Sequence, residues 1–167
     1  MQALTDHTIA VLNNMIEVQN DRLEGYEKAL GMVEEHDDIK AMLSDGRSVS
    51  YYCREELRNA IVELGGNPVE GRTLPPGSYH SWAIIPSTAS GHYRKSIFNV
   101  FEVGEHATQK AYEHAIKNNL LPDDIRKMLA KQKQRLQKQR RQVNQLHKTE
   151  LKKEKAMTLS ARENFLK

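Results

Sequence analysis

Glu102, Glu105 and His106 crowd together in the stretch Phe101–Ala115, FEVGEHATQKAYEHA, and carboxylates with imidazole are residue types that hold transition metals. Glu17 and Glu55 or Glu56 stand near the middle of two earlier apolar-periodic stretches and could join them. A carboxylate-bridged iron or manganese centre in a helical bundle takes one Glu from each of two helices and a Glu-x-x-His pair from each of the other two. The spacing matters because residues i and i+3 share a helix face. No Glu in this chain is followed three residues later by His. The standard site is therefore absent, and Glu17, Glu56, Glu102, Glu105 and His106 remain as a looser ligand set. The simpler reading places each beside an apolar stripe, where surface ion pairs contribute little.

Other chemistries have less to stand on. Cys53 is the single cysteine, so no internal disulfide can form. It sits in an apolar row with no His in helical reach, as a small buried hydrophobe would. His114, next to Glu113, reads as a surface residue. No Gly-rich phosphate loop, nucleophile elbow or paired-Cys zinc pattern occurs. The expectation is no catalytic residue and no cofactor, with iron or manganese as the alternative.

Four helices must position these residues. The first starts near Thr5–Asp6 and carries Ile9, Leu12, Ile16, Leu23, Tyr26, Leu30 and Val33 at three-four spacing, with Gln19 in the row. After a break at Glu34–His36, the second carries Ile39, Leu43, Gly46, Ser50, Cys53, Leu57, Ala60 and Leu64. Gly65–Gly66 before Asn67–Pro68 stops it, since glycine takes the left-handed helix-ending conformation. The third, about 91–118, holds Val100, Gly104, Ala107 or Thr108, and Ala111 in its row. Gly104 costs about 1 kcal/mol relative to Ala in a helix interior, so a close contact is its expected compensation. The fourth begins at Pro122–Asp123–Asp124, where proline and aspartates suit a first turn. Ile125, Leu129, Leu136, Val143 and Leu146 form its stripe, with Gln132 and Gln139 as polar members. Gln19, Gln132 and Gln139 are expected to hydrogen-bond one another and fix helix register.

Residues 67–90 hold four of the five prolines, together with Tyr79, Trp82, Ile84 and Ile85. That composition predicts an ordered crossover along the bundle, with Trp82 packed over it and the third helix parallel to the second. The fold class is all-α: a four-helix bundle over 1–147, with a long crossover between helices two and three. Residues 148–167 form a helical or frayed basic tail. No apolar run approaches the roughly 20 residues of a membrane span. The expected setting is the cytoplasm, with no membrane partner.

The net charge of +3 conceals two unlike parts. Residues 1–122 carry 11 Lys/Arg against 17 Asp/Glu, and residues 123–167 carry 14 against 5. A basic end fits nucleic acid, but no aromatics are interleaved for base stacking, and a solvated helix face explains it more simply.

Several pieces together resemble a known family. They are Leu12-Asn13-Asn14-Met15-Ile16-Glu17 with Asp21 and Gly25-Tyr26; Leu64-Gly65-Gly66-Asn67-Pro68; His80-x-Trp82; Glu102-x-Gly104-Glu105 with Ala111-Tyr112-Glu113; and Leu121-Pro122 followed by Gln132. In order and spacing, over roughly residues 8–147, the chain resembles a bacterial ferritin-like four-helix-bundle family of unknown function. The resemblance implies a ferritin-like bundle and a cytoplasmic bacterial protein, and it brings no reaction with it. The functional expectation is a non-catalytic bundle acting by self-association or protein binding, with stress response as one setting. Metal binding near Glu102–His106 and nucleic-acid binding through the fourth helix are the alternatives.

Overall fold

The computed structural model describes residues 1–33, 38–71 and 93–166. Among them are four helices and no strand: α1 (Gln2–Leu30), α2 (Asp38–Glu63), α3 (Tyr93–Ile116) and α4 (Asp123–Phe165). Trp82 and most of the expected crossover lie outside the described residues.

Helix α1 starts one turn before Thr5–Asp6. The Thr5 hydroxyl bonds back to the Met1 carbonyl instead of capping free N–H groups, and Asp6 accepts from Gln2. The α1 row is buried as the spacing requires, with Leu12, Ile16, Gln19, Leu23 and Tyr26 all at 5 % exposure or less. The α2 row from Ile39 to Ala60 is likewise buried. At the end of α2, Gly65 has φ +78°, its N–H bonds to the Val62 carbonyl, and the Gly66 N–H bonds to the Ile61 carbonyl. This Schellman ending favours glycine at Gly65, which takes the left-handed conformation without steric cost.

Helix α3 buries Gly104 and Thr108 of the expected row, but it is rotated so that larger residues beside that row face inward. Ile97, Phe98, Phe101, Glu105, Thr108, Tyr112 and Ala115 are buried, whereas Val100, Ala107 and Ala111 are only half-buried. Phe101 and Tyr112 have far more apolar surface to remove from water than alanine, and they set the rotation of the helix. Gly104 is buried on the flank of that row.

Contacts fix the helix directions. Arg22 meets Glu105 and Gln19 meets Tyr112, so α1 and α3 are antiparallel. Tyr112 meets Gln132 and Phe98 stacks on His147, so α3 and α4 are antiparallel. Arg22 reaches Ser50 while Asn13 reaches Val69, just past the end of α2, which makes α1 and α2 antiparallel. Helices α2 and α3 therefore run the same way. Two apolar clusters fill the bundle. One gathers Leu12, Ile16, Leu57, Ile61, Tyr112 and Leu129, and the other Tyr26, Ile39, Leu43, Phe98, Phe101 and Val143.

Helix α4 is much longer than its partners. Its 43 residues make a rod of about 65 Å at 1.5 Å per residue, against about 43 Å for the 29 residues of α1. Its inner face is buried as far as Val143, and past position 147 every described residue but the half-buried Glu150 is exposed. The helix continues without a break through the expected boundary at 147.

Candidate functional site

Where the two apolar clusters meet, the bundle centre is polar. Arg22, on α1, is fully buried with its guanidinium 2.6 Å from Glu105 Oε1 on α3. Arg22 Nη2 also donates to Gln139 Oε1 on α4 at 2.7 Å and to the Tyr26 hydroxyl at 3.0 Å. Arg22 Nη1 donates to the Gly46 carbonyl and to Ser50 Oγ on α2. The Tyr26 hydroxyl in turn donates to Glu105 Oε1 at 2.8 Å. One side chain thus binds groups from all four helices.

A second polar layer lies one turn away along α1 and two turns away along α3 and α4. Gln19 Nε2 donates to the Tyr112 hydroxyl at 2.7 Å, and Tyr112 donates to Gln132 Oε1 at 2.6 Å. Gln132 Nε2 then donates to the Cys53 carbonyl and to Glu56 Oε2, which also accepts from Arg135. This chain too visits every helix. The three glutamines do not bond one another as their shared rows suggest; Tyr112 joins Gln19 to Gln132, and Gln139 serves Arg22. A phenol both accepts and donates, so Tyr112 relays from the Gln19 amide to the Gln132 carbonyl oxygen.

Electrostatics follow from burial. Desolvation pulls Arg22 toward neutrality, but the charge of Glu105 and its hydrogen bonds outweigh that, and its pKa rises above the ordinary arginine value. Burial pushes the Tyr26 and Tyr112 phenols up, and both stay protonated donors. Burial likewise pushes the Cys53 thiol up to about 11, against a lowering by the Arg22 charge, which makes it a poor nucleophile.

The sequence-derived ligand set is not brought together. Glu105 and Glu17 are buried rather than beside their stripes, while Glu102 and His106 are exposed on other sides of α3. Glu56 belongs to the second layer, and its carboxylate is engaged with Gln132 and Arg135. Among the described residues no three His, Cys, Asp or Glu side chains converge as a metal site would require. The Glu105 carboxylate that a metal would need is held by a guanidinium instead.

Sequence reasoning missed Arg22, Tyr26, Ser50 and Tyr112 as polar partners. The signal was present for Arg22, which sits three residues after Gln19 and four before Tyr26, within the inward row. At Gly46 on α2 a side chain of α1 approaches the backbone closely. A Cβ built at Gly46 would lie 2.0 Å from Tyr26 Cε1 and 2.2 Å from its Cζ, far closer than atoms can pack.

The family model described as a domain of unknown function, DUF2383, matches residues 7–118. That is more than half of the chain. The protein belongs to this family. No curated protein matches it. The matched DUF2383 segment covers α1, α2 and α3 with Arg22, Glu105 and Tyr112, and it ends before α4. Gln132 and Gln139, which complete both polar layers, thus come from outside the DUF2383 match.

Proposed function

We propose that the protein is a non-catalytic, ferritin-like helical bundle of the bacterial cytoplasm that acts by associating with a second copy of itself. The observation that carries this reading is the projecting end of α4. Met157 and Phe165 continue the inward row of that helix beyond the bundle, at 73 % and 92 % exposure. A row that finds helices to pack against through Val143 goes on without any, and the same face of another copy is apolar in the same places.

The ferritin-like topology draws support from the parallel course of α2 and α3, which requires the intervening chain to return along the bundle. Residues just past α2 begin that return: Asn13 on α1 holds Val69, and Asn20, two turns further along α1, holds Gly71. The centre offers little to a substrate, because the Arg22–Glu105 pair and its partners fill it. Sedimentation of the full chain at about 50 µM is expected to show a dimer or larger species. Met157→Glu with Phe165→Glu is expected to yield a folded monomer. A monomeric wild-type chain at that concentration sinks the proposal.

A further inference from the structure

The outward face of α4 carries a regular row. Lys127, Lys131, Gln134, Lys138, Arg141, Gln145, Lys148, Lys152 and Lys155 follow one another at alternating steps of four and three residues. That alternation keeps them on one side of the helix, opposite the buried row of Leu129, Leu136 and Val143. All nine are exposed. Seven are cationic, two are amides, and none is acidic. Among the described residues, none of the seven cations makes a salt bridge, unlike Arg126, Lys133 and Arg135 on the other sides of α4. From Lys127 to Lys155 the row is about 42 Å long at 1.5 Å per residue.

We infer that this stripe is a binding surface for the phosphate backbone of double-stranded nucleic acid, read without regard to sequence. Its composition separates phosphate from other anionic partners. Lysine is depleted in protein–protein interfaces, which favour arginine and aromatics, yet six of the seven cations here are lysine. A membrane-surface helix needs an apolar face to sink into lipid, and along most of this row that face is buried in the protein's own core. Lysine, arginine and glutamine are all side chains that donate to phosphate oxygens. The lack of interleaved aromatics argues against single strands, whose bases stack on rings, and not against a duplex backbone. Asp123 and Asp124 flank the stripe within one turn of Lys127 at the start of α4, and acidic groups of a second helix face it at its middle. There Asp38 and Asp45 form the α2 wall of an open cleft of about 570 Å³ whose α4 wall includes Lys138 and Arg141. Towards Lys148–Lys155 the helix stands clear of the bundle and is exposed on nearly all sides, as a rod entering a major groove about 12 Å wide must be.

The test is fluorescence anisotropy of a labelled 30-base-pair duplex of arbitrary sequence, titrated with the full chain from 50 to 300 mM salt. Each neutralised phosphate contributes about −0.9 to the slope of log K against log salt, so five to seven contacts give a slope of about −4 to −6. Replacing Lys138, Arg141, Lys148 and Lys152 with Gln should flatten the slope by 3 to 4 and weaken binding on the order of 100-fold at 100 mM salt. These exposed sites leave the fold intact, which circular dichroism checks. Neutralising Lys28, Lys40 and Lys117, away from the stripe, should change neither. The inference is overturned by no binding at 50 mM salt, or by a slope that the fourfold variant leaves unchanged. It is overturned equally by vesicles rich in anionic lipid binding more tightly than the duplex, or by a dimer that forms without nucleic acid and is lost in the fourfold variant.

Discussion

A guanidinium removed from water and handed one carboxylate, two hydroxyls, an amide oxygen and a backbone carbonyl has been given a complete shell. The cost of burying Arg22 and Glu105 is several kcal/mol per ion, and mutual attraction with excellent geometry roughly offsets it. Such a pair adds little net stability while leaving either member alone is severe. Arg22→Met strands the buried Glu105 charge and is expected to cost about 3–5 kcal/mol in urea unfolding, and Glu105→Leu a similar amount. Combining them should cost clearly less than the sum, with coupling on the order of 2 kcal/mol. Simple additivity would show that the two charges do not sense each other in the folded state. The orphaned Glu105 Oε2 and Gln19 Oε1 mark where each layer is least satisfied by protein groups.

At the scale of the elements, the close packing of α1 on α2 depends on the missing side chain at Gly46. Tyr26 lies against that backbone, and from there its hydroxyl reaches both Arg22 and Glu105. Gly46→Ala should push the ring away and break those bonds, destabilising by about 1–3 kcal/mol as core overpacking does. Gly31 is the control. Its φ is −69° and a Cβ there would meet nothing nearer than 3.5 Å, so Gly31→Ala should be neutral or slightly stabilising. Equal losses at both positions in thermal unfolding would refute the account. The helices themselves were legible because rows such as Leu12–Ile16–Gln19–Leu23–Tyr26 announce their inner face by spacing alone. The rotation of α3 was not, because small residues at Val100 and Ala111 imitate a packing row, while Phe101 and Tyr112 win the interior by area. Arg22 illustrates a second blindness. A charged residue in a helix reads as solvent-facing, and nothing local shows that its counter-ion waits 83 residues later.

For the whole molecule, the buried protonated groups bear on behaviour in alkali. Cys53 titrates near 9 when exposed and near 11 when folded, and Tyr26 and Tyr112 are shifted upward as well. A raised folded-state pKa contributes stability that is complete below the unfolded value and disappears as pH climbs through the folded one. Urea midpoints should therefore be flat on approaching pH 9 and fall between about pH 9 and 11, with the tyrosines extending the fall. Cys53→Ala should make the first part of that fall shallower. An unchanged profile in that variant would place the alkaline sensitivity elsewhere.

The Arg22 shell also constrains the order in which the chain can become native. Its partners lie 24 to 28 residues away on α2, 83 on α3 and 117 on α4, so no early hairpin can satisfy it. A pair of helices that docks first must keep the guanidinium in water or leave it half-paired, and either choice makes partial assemblies poor resting places. Tight burial can follow only after the longest loops have closed. The interior charge therefore acts as a late checkpoint, which rewards the complete four-helix assembly and withholds stability from every smaller one.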